Sequence, residues 1–127
     1  METYDTATIA RRYIETVSAG DLTPLEALLD DSLEARVSGN TSNKAEWIVA
    51  LERLLPALVR NDIREVFVTD ARACIVYDFV TDTAAGAVLC VELLTVTDGR
   101  ISEIELIFDR VAFAPVRAAL EERALQR

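Results

Sequence analysis

The chain has 127 residues, 51% of them hydrophobic, and carries 13 Lys and Arg against 22 Asp and Glu, a formal net charge of -9. That length suits one domain with one core, and no uninterrupted apolar run approaches the ~20 residues of a membrane span. The acidic surplus repels a phosphate backbone and so speaks against nucleic acid as a partner, while the complete absence of His excludes a Ser-His-Asp triad, a Cys-His pair and a His-ligated zinc.

Any acid-base step must therefore use carboxylates, Tyr, Lys or Cys. The opening Met1-Glu2-Thr3-Tyr4-Asp5 carries acid where a secretion signal carries Lys or Arg, so the expected location is the cytoplasm. From Ala7 to Ala19, the positions Ile9, Ala10, Tyr13, Ile14 and Val17 follow the spacing of one buried helix face, and Gly20 stops it. Pro24 opens a second short helix that buries Leu25, Leu28 and Leu29 and ends near Asp30-Asp31. Leu33 to Val37 alternates as a strand, and Ser38 to Thr41 is a loop. Asn43 caps a helix predicted from Lys44 to about Val59, with Trp47, Ile48, Leu51, Leu54, Leu55 and Leu58 inward and Pro56 disturbing its last turn.

Beyond Asp62 the period changes to two. The β-rich runs are 63–69 with 71–80, 87–96 and 101–108, an antiparallel meander, and 115–127 reads as a last amphipathic helix. No linker or internal repeat breaks 1–127 into parts, so the chain reads as a single domain. For the final hairpin, a two-residue Asp98-Gly99 turn would set Glu92 on one face with Glu103 and Glu105. A three-residue loop with a bulge at Gly99 instead pairs Val96 with Arg100, Glu92 with Ile104, Cys90 with Leu106 and Val88 with Phe108, leaving an apolar face whose exception is Glu92. The opposite face, with Leu89, Val91, Leu93 and Ile107, is too apolar for water, and a twofold-related copy is its expected cover.

Two segments carry a resemblance. Arg12-Tyr13-Ile14 through Ala19-Gly20-Asp21-Leu22 resembles the first helix and turn of ketosteroid isomerases, and Thr97-Asp98-Gly99-Arg100-Ile101 through Phe108-Asp109-Arg110 resembles the final hairpin of SnoaL-like proteins. Both belong to the nuclear transport factor 2-like superfamily. The resemblance implies an α+β fold in which a curved antiparallel sheet wraps N-terminal helices into a cone with a central apolar pocket. It places Tyr13 as an oxyanion donor and Glu92 at the second oxyanion-hole acid, but Val37 stands where the isomerase has its general-base Asp. Compared with limonene epoxide hydrolases, Glu92 matches the strand acid, while Cys90 and Leu106 replace the Arg and the second Asp.

What survives both comparisons is a Tyr and a carboxylic acid in one pocket, Tyr13 and Glu92 being the candidate catalytic pair. The expected walls are Trp47, Leu54, Leu58, Ile75, Tyr77, Phe79, Cys90, Ile104, Leu106 and Phe108. Such a pocket suits a small, mostly hydrophobic molecule bearing a carbonyl or hydroxyl, handled without metal or cofactor by a cyclase or isomerase. The alternative is a non-catalytic ligand-binding or dimerisation module, in which Glu92 is a structural acid satisfied by Tyr13, Tyr77 or a backbone amide. Cys74 and Cys90 read as small core residues on opposite faces of the sheet, with no disulfide, and Asp109-Arg110 reads as a local ion pair.

Overall fold

Residues 5–126 are described in this computed structural model, so the reading of Met1 to Tyr4 and of Arg127 lies outside them. Helix α1 (Thr6–Ala19) begins where the Asp5 carboxylate accepts the Thr8 N–H at 2.7 Å and ends on Gly20, whose φ of 79° is the left-handed cap that favours glycine. Its buried face is Ile9, Ala10, Tyr13, Ile14 and Val17, as the spacing predicts.

Helix α2 is only one turn (Leu25–Leu28), and strand β1 (Leu29–Val37) starts earlier than the alternation suggests. The Asp30 carboxylate takes the Ser32 N–H and hydroxyl, a local bonding pattern that competes with helix. Ser38 and Gly39, both at positive φ, then turn the chain into a short strand β2 (Asn40–Ser42), where the sequence reads as loop. Helix α3 (Lys44–Leu54) carries the expected Asn43 cap, reinforced by Glu46 as a capping box. It stops five residues short of Val59. Pro56 has no N–H to give and its ring crowds the preceding turn, so the chain tightens into single turns at Leu54–Leu58 and enters strand β3 (Leu58–Thr69). Lys44, at the head of α3, reaches the Glu26 carbonyl at 2.9 Å and the Glu26 and Asp31 carboxylates at 3.1 Å, tying α2 and β1 to α3.

Strands β3, β4 (Arg72–Thr81), β5 (Ala87–Thr97) and β6 (Arg100–Phe108) form the antiparallel meander. The sheet order is β2-β1-β6-β5-β4-β3, antiparallel throughout except where β1 runs parallel to β6. Its concave face closes over α1, and the core gathers there around Tyr13, Leu25, Leu29, Ile75, Leu94, Ile101 and Ile104.

The last hairpin corrects the expected register. Asp98 and Gly99, at φ 51° and 78°, make a two-residue turn that pairs Thr97 with Arg100 and Val96 with Ile101. The extra residue comes one step later: between Val96–Ile101 and Thr95–Glu103 the ladder skips Ser102. Glu92 therefore lies opposite Leu106 and Cys90 opposite Phe108, two places from the expected partners. Because that displacement is even, the side chains from Glu103 to Phe108 keep their expected face, whereas Ile101, ahead of the bulge, pairs with Val96 and turns inward into the core instead of outward.

The C-terminal helix is also corrected. Helix α4 (Arg110–Leu125) starts five residues before Pro115, which lies inside it. Asp109 is its cap, accepting the Val111 and Ala112 N–H groups at 2.8 and 3.2 Å, rather than the ion partner of Arg110.

Candidate active site

Between α1, α3, α4 and the concave side of the sheet lies a cavity of about 400 Å³. Its inner end is built by Tyr13 from α1, Trp47 from α3, and Tyr77, Cys90 and Glu92 from the sheet, all buried. Ser38 and Asn40 from the β1–β2 turn, and Arg110 and Arg117 of α4, are the exposed polar lining residues and mark its mouth.

Glu92 sits in the middle of β5, only 3% exposed. Tyr77 of the neighbouring strand donates its hydroxyl to Oε1 of Glu92 at 2.5 Å. The other oxygen, Oε2, is buried without a hydrogen-bond partner. Burial in apolar surroundings pushes the Glu92 pKa up to about 7, although Tyr77 and, more weakly, Tyr13 favour the charged form. Tyr13 lies near enough to act on that equilibrium, and its own oxygen accepts the Trp47 indole N–H at 3.0 Å. Burial first and the Glu92 charge second hold both tyrosines well above the usual phenol value, so they remain O–H donors at any ordinary pH. The same two causes push the Cys90 thiol up to about 12, which makes it a packing group rather than a nucleophile. Both cysteines are free.

Of the expected walls, Trp47, Leu54, Tyr77, Phe79, Cys90, Leu106 and Phe108 line the cavity, together with Tyr13 and Glu92. Leu58, Ile75 and Ile104 do not: Ile75 and Ile104 are fully buried in the core, and Leu58 packs against it from the start of β3. Val37, Cys90 and Leu106 all open onto the cavity. The positions where the resembled enzymes carry their charged groups are thus present, but filled with apolar side chains or a thiol.

Sequence reasoning missed two features. Asn61 of β3 lines the cavity with its Oδ1 buried and unpartnered, while its Nδ2 reaches the Ile14 carbonyl at 3.5 Å and its N–H donates to Ser18 Oγ at 2.9 Å. Flanked by Arg60 and Asp62, it has no apolar context to flag it. The other is the roof formed by Arg110, Phe113 and Arg117, one face of α4 at i, i+3 and i+7. Reading Asp109 as a helix cap would have revealed it.

The chain belongs to the SnoaL-like domain family, whose model matches residues 10–104. No curated protein sequence matches it. Among solved structures it is similar to an NTF2-like protein of unknown function from Mesorhizobium loti, at 26% identity and TM-score 0.71 over 82% of this chain and 90% of that one. It is also similar to a candidate ketosteroid isomerase from Kribbella flavida, at 16% identity and TM-score 0.74 over 85% and 80% of the two chains. A candidate SnoaL-like polyketide cyclase from Jannaschia sp. CCS1 aligns at 14% identity and TM-score 0.72 over 89% and 92%. These likenesses show the fold; what the cavity does rests on its side chains.

Proposed function

We propose that this protein is a cofactor-independent enzyme of the isomerase or cyclase type that moves a proton on a small, mostly apolar carbonyl compound, and that it acts as a homodimer. The observation that carries the chemistry is Oε2 of Glu92, a buried, unpartnered carboxyl oxygen at the inner end of a cavity large enough for a ligand. A carboxyl with a pKa of about 7 is divided between acid and base at neutral pH, which suits proton exchange with a substrate.

In this reading the Glu92 carboxylate takes a proton from the carbon next to the carbonyl, and the bonding pair moves onto the carbonyl oxygen as an enolate. Glu92, now the acid, returns the proton to the α-carbon, or to the γ-carbon where a double bond in the substrate extends the enolate to a dienolate, and is regenerated. Tyr77 holds the carboxyl in place from Oε1. Tyr13, whose oxygen already accepts from Trp47, has its own proton to give, leaning weakly on Glu92 in the free site and turning to the developing oxyanion when substrate is bound. One carboxyl doing both transfers fits a cavity in which Glu92 is the only carboxylate among the described lining residues.

The test is hydrogen exchange in D2O at the α-carbon of 2-tetralone, followed by NMR. The expected result is exchange faster than buffer that falls by about a hundredfold in Glu92→Gln. Equal rates in the two proteins would sink the proposal. The missing second carboxylate favours one other reading, a non-catalytic binding module; a ketone that binds but exchanges no faster than in buffer would put that reading ahead.

A further inference from the structure

We propose that the ligand of this cavity carries an anionic head group, held at the mouth by Arg110 and Arg117, on an apolar body that reaches inward toward Glu92. The inference rests on the cavity being a ligand site and adds the substrate class. Among the described residues, Glu92, Arg110 and Arg117 are the only charged ones lining the cavity, with the acid buried and the two cations exposed. Apart from those groups the lining is dominated by aliphatic and aromatic side chains.

The two arginines are placed rather than incidental. They flank Phe113 on one face of α4, and the Phe113 ring packs against Phe108 at 4.9 Å and Phe79 at 6.0 Å between centroids, fixing that face over the opening. Neither guanidinium forms an ion pair or a hydrogen bond among the described residues, and Glu121, one turn beyond Arg117, is not paired with it. Farther along the same helix, Arg123 is tied down at 2.8 Å to Asp82 and at 3.0 Å to the Pro56 carbonyl. Arg110 also occupies the first helical position, where the backbone dipole disfavours a cation. In a chain of net charge -9, two unpaired arginines at the rim of an apolar cavity make a local attraction for an anion that the rest of the surface repels. Their planar forks suit a carboxylate or a phosphoryl group, and the exposed Ser38 and Asn40, which also line the cavity, offer further donors.

The experiment uses a neutral fluorescent reporter, N-phenyl-1-naphthylamine, displaced from the cavity by decanoate, decyl phosphate or decanol, which share one apolar body and differ in the head. Either anion should displace the reporter at a concentration at least about tenfold below that of decanol, and the better of the two names the head group. The advantage should shrink with added salt, vanish in Arg110→Gln/Arg117→Gln, and survive in part in Arg110→Lys/Arg117→Lys. Decanol displacing as well as both anions, or an advantage unchanged in the Gln double variant, would overturn the proposal while leaving the proton-transfer reading intact. Glu92→Gln should keep the anion preference even as it loses exchange, so the two ideas fail separately.

Discussion

Tyr77 and Glu92 are diagonal neighbours on the concave face of the sheet: Tyr77 pairs with Cys90, Glu92 pairs with Ile75, and the phenol crosses between strands to reach Oε1 at 2.5 Å. That bond favours the charged carboxyl. Tyr77→Phe should therefore move the Glu92 titration above its position near 7, while Tyr13→Phe should move it in the same direction and less, following the order of their effects. Carboxyl-carbon NMR across pH 4 to 9, a range set by the free and buried Glu values, reads the midpoint directly. A midpoint below that of a free Glu in the unsubstituted protein would overturn the acid-base role.

The raised pKa also makes stability depend on pH. Below about 4.5 the carboxyl is protonated in both folded and unfolded chains; between 4.5 and about 7 the unfolded chain loses the proton while the folded one keeps it. Stability should fall as pH rises through that window, by about 3 kcal/mol for a shift of this size, and level off above it. Asp5, Asp21 and Asp30, whose pKa values are lowered by hydrogen bonds from Thr8, Thr23 and Ser32, act in the opposite sense, and only as pH falls below 3.8. Glu92→Gln should flatten the upper window and match or exceed the parent in stability above it. Denaturant unfolding at several pH values checks this, and an unchanged slope in the variant would refute the link to Glu92.

Trp47, the one tryptophan in the chain, depends on Tyr13 for its hydrogen bond. Tyr13→Phe leaves a buried indole N–H without an acceptor, a loss of about 1 to 3 kcal/mol. Urea unfolding followed by Trp47 fluorescence should show it as a lowered midpoint. A midpoint equal to the parent's would mean that water from the cavity replaces the phenol.

Glu92 was legible because it is a single acid inside an apolar run, and a parity argument suffices to place such a residue on a face. The exact partner was not, because the bulge at Ser102 sits inside β6 rather than at the turn. Its trace is nonetheless in the spacing: Ile101, Ile104, Leu106 and Phe108 step by three, two and two, and only a bulge lets all four share the inner side. The beginning of α4 was hidden because Pro115 is a plausible first helical residue, and Asp109 offers a cap only to a chain already turning there. The depth of the cavity wall could not be read at all. Ile75 and Ile104 share the face of Tyr77 and Leu106, and whether a residue on that face meets the cavity or core depends on how α1 lies across the sheet.

The convex side of the sheet yields the last prediction. Phe67, Leu89 and Ile107 are 58%, 49% and 49% exposed there, and Val76, Val91 and Leu93 fill the space between them. Charged groups border this strip: Arg72 at one end of β4, Asp78 opposite Leu89 and tied to Arg64 at 2.9 Å, Glu65 opposite Val76, and Glu103 and Glu105 along β6. An apolar centre with a charged rim is the anatomy of an interface, and a sheet face meeting its own twofold copy needs no second protein to be complementary. Each copy would need to cover about 800 Å² for a stable dimer. Leu89 and Ile107 are the most exposed large apolar residues of β5 and β6, toward one end of that face, so Leu89→Lys/Ile107→Lys would put two charges that must be desolvated into the apolar strip without touching the cavity on the other side. Sedimentation velocity at micromolar concentration should find a dimer in the parent and a monomer in the double variant, with the pH dependence from Glu92 retained in both. A parent that sediments as a monomer would defeat the argument that both faces of this sheet are buried.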